Sequence, residues 1–269
     1  IENVSDKESN NKTKNINLVF NTGSKPKIDL LLPNGNMHSW HLKEAWVVNL
    51  RKHNLLNRAF YTDSNNYQHF FDYLKKGTNS DFIFALGGDH HLFYLHDSQQ
   101  KIELWHRYKK SKVCYSYEST IDSEYNFYKN RAENASRVFT HFLVADEKDI
   151  QFYKERNNKA AWFPQFVDEK FFFNNNPFDK RINKVFFKGK LWSEYKQRQR
   201  IIDSLINVKS IELLDGYINN SELVSNYNKY KAVINPPGVF GGFNVRTFEA
   251  LSSGNLLFQF LPENRPLNN

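Results

Sequence analysis

The chain holds a single cysteine, Cys114, among 269 residues. One thiol excludes an intrachain disulfide framework and any zinc site built from several cysteines, and it points to a reducing, cytoplasmic setting. No apolar run approaches the roughly 18 residues that a membrane-spanning helix needs. Residues 1–14, IENVSDKESNNKTK, lack the apolar segment of a secretory signal and read as a disordered arm. Zinc-finger spacing, a basic zipper, an RNA-recognition signature, coiled-coil heptads and short-period repeats are all missing. His38 and His41 stand three residues apart, but no HExxH-type frame surrounds them, so no metal site is expected.

Charge of one sign is in modest excess, with 37 Lys and Arg against 29 Asp and Glu, a net of +8. The basic residues are scattered among acids, which argues against nucleic acid and for a mainly solvated surface. The densest short clusters are RYKKSK at 107–112 and KGKLWSEYKQRQR at 188–200, which leave room for an anionic ligand or a peripheral membrane contact. Large side chains are plentiful, with 24 Phe, 14 Tyr and 5 Trp, so the chain can bury a core and wholesale disorder is excluded.

Short apolar runs alternate with helix-like stretches, the pattern of repeated β-α units. Strands are predicted at 27–32, 59–62, 81–86, 112–117 and 138–144, with helices over 40–53, 67–74, 123–135 and from 146. A strand at 160–163 and an irregular crossing at 164–173 lead to the polar stretch 174–177, read as a linker. The pattern then restarts, with strands at 184–187, 210–214, 232–234 and 256–260 and helices over 193–206, 221–230 and 244–252. The economical reading is α/β, with two successive domains at 15–165 and 166–269, each built on a parallel sheet. Nine residues follow the last predicted strand, so the second domain reads as incomplete at its C-terminal end. Ligands of such sheets bind at the carboxyl ends of strands.

The segment AVINPPGVFGGFNVRTFEALSSGNLLFQF at 232–260 carries the most chemistry. A strand runs into a loop with Gly238, Gly241 and Gly242, and a helix opens near Asn244. Such a loop offers backbone N–H groups and a positive helix end to a phosphate. Arg246 in the first turn adds a charge-assisted contact. Glu249, one turn later, suits a ribose diol. The plainer alternative is a helix capped by Asn244 with Glu249 solvated.

The run FNVRTFEALSSG at 243–254 resembles the donor-site helix of GT-B glycosyltransferases, most closely the group-1-like branch that includes the CgeB spore-maturation proteins. Three further segments resemble that family in order: ASRVFTHFLVAD at 135–146, WFPQFVD at 162–168 followed by Phe172, and FFKGK at 186–190 leading to Arg198. The resemblance spans roughly 135–260 and implies two Rossmann-like domains facing each other across a cleft. It further implies a metal-independent transfer of sugar from a UDP- or GDP-type donor. On that basis Glu249 holds the ribose, and Gly241, Gly242, Phe243, Asn244 and Arg246 face the diphosphate. Lys188, Gly189, Lys190 and Arg198 lie around the same group. One departure is Gly241, which stands where the broader family places the first of two spaced glutamates.

The first domain is expected to face the acceptor through loops after its strands. Asn34, Gly35, Asn36 and His38 follow the first strand, and Asp89 lies in GGDHH at 87–91. His90 and His91 are candidate bases, because an imidazole with an ordinary pKa near 6.5 takes a hydroxyl proton at neutral pH. Glu118 is the other candidate. Surface or packing roles stand beside each of these readings. Cys114, inside an apolar strand, reads as a small core residue. A non-catalytic GT-B-like binding module within a larger polypeptide is the alternative to an enzyme.

Overall fold

A computed structural model describes residues 25–34, 40–117, 126–189, 196–214, 218–237 and 244–260. The expected arm at 1–14 lies outside them. The first unit runs β1 (Ile28–Pro33), α1 (Trp40–Lys52), β2 (Leu56–Thr62), α2 (Gln68–Lys76), β3 (Phe82–Leu86) and α3 (Gln99–Arg107). It continues with β4 (Ser111–Ser116), α4 (Asn126–Val138), β5 (His141–Val144), α5 (Asp149–Lys154) and β6 (Lys159–Trp162). Its six strands are all parallel, in the order β2-β1-β3-β4-β5-β6.

Alternation along the strands builds a core on each face of this sheet. Leu31, Ile83, Ala85, Cys114 and Phe142 point to one side and meet Phe70, Phe71, Trp105 and Phe139. Leu30, Leu32, Phe84, Leu86 and Tyr115 point to the other and meet Val47 and Leu50 of α1. All six residues of β1 are buried, the mark of a central strand covered on both faces. One acid shares that burial: Asp29 accepts from Asn57 Nδ2 at 2.8 Å, Tyr73 OH at 3.0 Å and Thr78 Oγ1 at 2.7 Å.

The second unit runs β7 (Ile182–Lys188), α6 (Lys196–Leu205), β8 (Ile211–Leu214), α7 (Asn220–Lys229), β9 (Tyr230–Asn235), α8 (Val245–Ser252) and β10 (Leu256–Gln259). Its four strands are also parallel, in the order β10-β9-β7-β8. Phe186 and Val233 pack with Phe172, Tyr227 and Ala250 on one face, while Phe187 and Ile234 meet Ile202 of α6 on the other. Buried Arg181 ties the lead into β7 to the helices, donating to Asn174 Oδ1 and Ser253 O at 2.7 Å each.

Two Rossmann-like α/β units in succession are what the β-α pattern predicts, and every predicted strand is present within a few residues. One α-helix among the described residues was not expected. Helix α3 lies in a stretch that shows only two apolar contacts of helical spacing, Ile102 and Trp105.

In each sheet the chain builds outward in one direction and then returns to build in the other. The reversal falls between β1 and β3 in the first sheet and between β7 and β9 in the second. Crevices open at the carboxyl ends of strands at such points.

Candidate functional site

In the second sheet the reversal point lies at the carboxyl ends of β7 and β9, where polar side chains meet. Asn235, the last residue of β9, is fully buried. Its Oδ1 accepts from Arg246 Nη1 at 2.7 Å and from Asn244 Nδ2 at 3.2 Å. Its Nδ2 donates to Thr247 Oγ1 at 3.0 Å and to Gln259 Oε1 at 2.8 Å. Asn244 caps α8, its side chain accepting from the Arg246 backbone N–H at 3.1 Å. The start of α8 is thereby fixed to the ends of β9 and β10.

Arg246 is placed by this network and by Phe187, whose ring lies 5.4 Å from the guanidinium carbon. Gly189, just past β7, makes room for it. A Cβ there would stand 2.9 Å from Arg246 Nη2 and 2.8 Å from Phe187 Cζ. Arg198 on α6 is buried and donates from Nε to Pro237 O at 3.2 Å, so it braces the loop after β9. Lys188 closes β7 and is partly buried. The structure thus gathers Lys188, Gly189, Arg198, Asn244 and Arg246 around one end of one sheet.

Glu249 is placed differently from an open ribose ligand. Only 4% exposed, it accepts from Tyr227 OH at 2.8 Å across the α7–α8 contact. Burial pushes its carboxyl up to about 7, against the lowering pull of the Tyr227 hydrogen bond and the Arg246 charge. The solvated alternative for Glu249 is overturned by that burial. Sequence reasoning missed Asn235, Thr247 and Gln259. The available signal was an amide closing each of two apolar strands, AVIN and LLFQ, which pair in register at Gln259 and Asn235.

In the first sheet the reversal point lies at the carboxyl ends of β1 and β3. Gly87 turns the chain at φ +64°, and its carbonyl accepts from His91 N at 2.7 Å and Leu92 N at 3.0 Å. A Cβ at Gly87 would meet His91 Cδ2 at 2.7 Å and Tyr117 OH at 2.8 Å, so glycine is required twice over. The two imidazoles lie edge to face, 4.3 Å between centroids, with His90 Nδ1 3.2 Å from His91 Nε2. His90 stacks on Tyr128 at 5.3 Å, and His91 leans on Tyr117 at 5.1 Å. Burial first, and then the Arg131 charge, lower His90 to about 4. At neutral pH its ring is therefore uncharged.

Asp89 turns inward, only 1% exposed, where it accepts from Ser116 Oγ, from Tyr153 OH at 3.2 Å and from Cys114 Sγ at 3.8 Å. Burial lifts it to about 6, against those hydrogen bonds. Its carboxylate fixes the loop from inside, while both histidine rings are half-buried against Tyr128 and Tyr117. His96, unnoticed in the sequence, does the same with Nε2 against Gly88 O at 2.6 Å. Asn34 donates to Asp63 Oδ2 at 2.7 Å at the neighbouring β1–β2 end. Cys114 is a buried core residue, as its strand predicts. Gly35, Asn36, His38, Glu118, Lys190, Gly241, Gly242 and Phe243 lie outside the described residues.

Among the described residues no group of three or more His, Cys, Asp or Glu is placed to hold a metal ion, and no helix is long and apolar enough to cross a membrane. No family model and no curated protein matches the chain. Solved structures do match, among them a UDP-N-acetylglucosamine 2-epimerase at 9% identity and a TM-score of 0.49. The match covers 78% of this chain and 74% of that one. A likeness this distant assigns no residue a role.

Proposed function

We propose that the chain is a glycosyltransferase of the GT-B type, in the CgeB-like branch, moving a sugar from a UDP- or GDP-linked donor to an acceptor hydroxyl. The observation that carries the reading is the Arg246 guanidinium, fixed by Asn235 and cleared by Gly189 at the reversal point of the second sheet. In this proposal the diphosphate lies against the start of α8, with Arg246 and Lys188 balancing its charge and Lys190 and the Gly241–Gly242–Phe243 loop completing the cradle. Fixed cations and backbone donors do there what a bound metal does elsewhere, so the transfer is metal-independent. In this proposal Glu249 exchanges its Tyr227 contact for the ribose diol when the donor binds; the sugar meets the acceptor between the two domains, 15–165 and 166–269.

Departure of the nucleotide diphosphate needs charge stabilisation, and the attacking hydroxyl must lose a proton. The first is assigned to Arg246 and its neighbours. The second is assigned to the His90–His91 pair, with Glu118 as a further base and Asn34, Gly35, Asn36, His38 and the loop fixed by Asp89 around the acceptor. A non-catalytic module is the second reading, favoured by one observation, the withdrawal of Glu249 into the α7–α8 contact. A thermal-shift panel of UDP, GDP, ADP and their sugars, with EDTA present, tests the proposal. A selective rise with one uridine or guanosine diphosphate supports it, and no rise with any nucleotide overturns it.

A further inference from the structure

Helices α2 and α3 both deliver the chain to the amino-terminal edge of the first sheet, just ahead of β3 and β4. Between their C-terminal ends lies a cleft of about 580 Å³. That volume is within the roughly 300–1,000 Å³ typical of small-molecule sites. Leu74, Leu104 and Tyr108 form an apolar floor, and Lys75, Arg107, Lys109 and Lys110 form a basic rim. No acid lines it.

The charge exceeds what the fold requires. Cations at helix C-termini complement the helix dipole, which accounts for Lys75 and Arg107. Lys109 and Lys110 lie beyond α3 and have no such role. Asp72 pairs with Lys75 at 3.6 Å, and Lys110 also donates to Ser80 O. Four cations, less Asp72 and about half a charge from each helix end, leave a surplus of about +2. Asp29, behind Thr78, is already engaged by Asn57, Tyr73 and Thr78. A phosphate monoester carries about −1.5 to −2 at neutral pH, which matches the surplus, whereas one carboxylate leaves half of it unbalanced.

We propose that this cleft binds a small phosphate ester with an apolar body, the phosphate on Arg107, Lys109 and Lys110 and the body on Leu74, Leu104 and Tyr108. A planar guanidinium beside two ammonium groups suits a phosphate's three oxygens. The cleft lies at the opposite end of the sheet from Asn34 and Gly87, so it is independent of the nucleotide-sugar reading.

The probe is 1-naphthyl phosphate, titrated calorimetrically into the full chain at low salt. The control variant is Arg107→Glu/Lys109→Glu, since both side chains are exposed and neither has an ion pair among the described residues. Expected are one saturable site and an affinity at least about tenfold lower in the double variant, whose melting temperature falls only by the few degrees that reversing the charge of Arg107 at the end of α3 costs. Inorganic phosphate and 1-naphthol each bind about tenfold or more weakly than the ester, because each keeps only half of the contacts. Arg246→Ala leaves this binding intact, which separates the cleft from the second-sheet crevice. Equal affinity in the double variant overturns the proposal, as does a loss confined to Arg246→Ala. Binding only to phosphatidylglycerol vesicles, with none to the soluble ester, also overturns it.

Discussion

Replacing Glu249 with Gln isolates one buried charge. Burial raises the carboxyl from its ordinary 4.5 to about 7, so between those values the folded chain keeps a proton that the unfolded chain has released. The group's stabilising contribution is therefore full below pH 4.5 and is lost as the pH rises through about 7. At 1.36 kcal/mol per pH unit the whole gap is worth about 3 kcal/mol. Gln has nearly the same shape, keeps an oxygen for the Tyr227 hydroxyl and never ionises. The variant should match the parent at pH 5 to within about 1 kcal/mol and exceed it by about 2–3 kcal/mol at pH 8.5. Urea unfolding at both pH values measures this. His90 and His96 act with the opposite sign. Both are lowered from 6.5 to about 4, so their contribution grows as the pH rises from 4 to 6.5, but they are common to both proteins and cancel in the difference. A difference between variant and parent that is the same at pH 5 and pH 8.5 would refute the reasoning.

Gly189→Ala should displace the Arg246 guanidinium or the Phe187 ring, since the new methyl falls within 3 Å of both. The expected cost is about 1–3 kcal/mol of stability, with nucleotide affinity reduced about tenfold, read by unfolding and calorimetry; unchanged affinity would show that Arg246 does not face the nucleotide. Loss of the imidazole pair should reduce turnover by about 10²-fold or more, and full activity in both His90→Ala and His91→Ala would remove the 87–91 loop from catalysis. Since His90 is lowered to about 4, a rate that depends on it as base should show no acid limb between pH 5 and 8; a limb centred near 6.5 would assign the proton to another group.

The strands were legible because parallel strands buried on both faces read as short continuous apolar runs, such as LLL in β1 and AVI in β9. Helix α3 was not, because nine residues with only Ile102 and Trp105 buried give too short a periodic signal. In the second sheet Lys188, Gly189 and Arg246 were singled out by their types, and they stand at the end of β7, just past it and in the first turn of α8. Asn235 and Gln259 escaped notice because an amide at a strand end resembles any turn residue until the register pairs the two. Asp89 shows the converse. Its neighbours in GGDHH suggested a row of polar groups, but the turn at Gly87 sends the carboxylate inward to Ser116 and Tyr153 while the imidazoles pack half-buried against Tyr128 and Tyr117. Sequence adjacency carries no information about which way successive side chains of a tight turn point.

The central claim is that a nucleotide diphosphate binds at the start of α8 through Arg246. Calorimetric titration of UDP and GDP in EDTA, into the parent chain and Arg246→Ala, tests it most directly. One-site binding of one of these nucleotides by the parent and a loss of at least about tenfold in the variant are expected. Equal affinity in the two proteins, or no binding of either nucleotide by the parent, would contradict it.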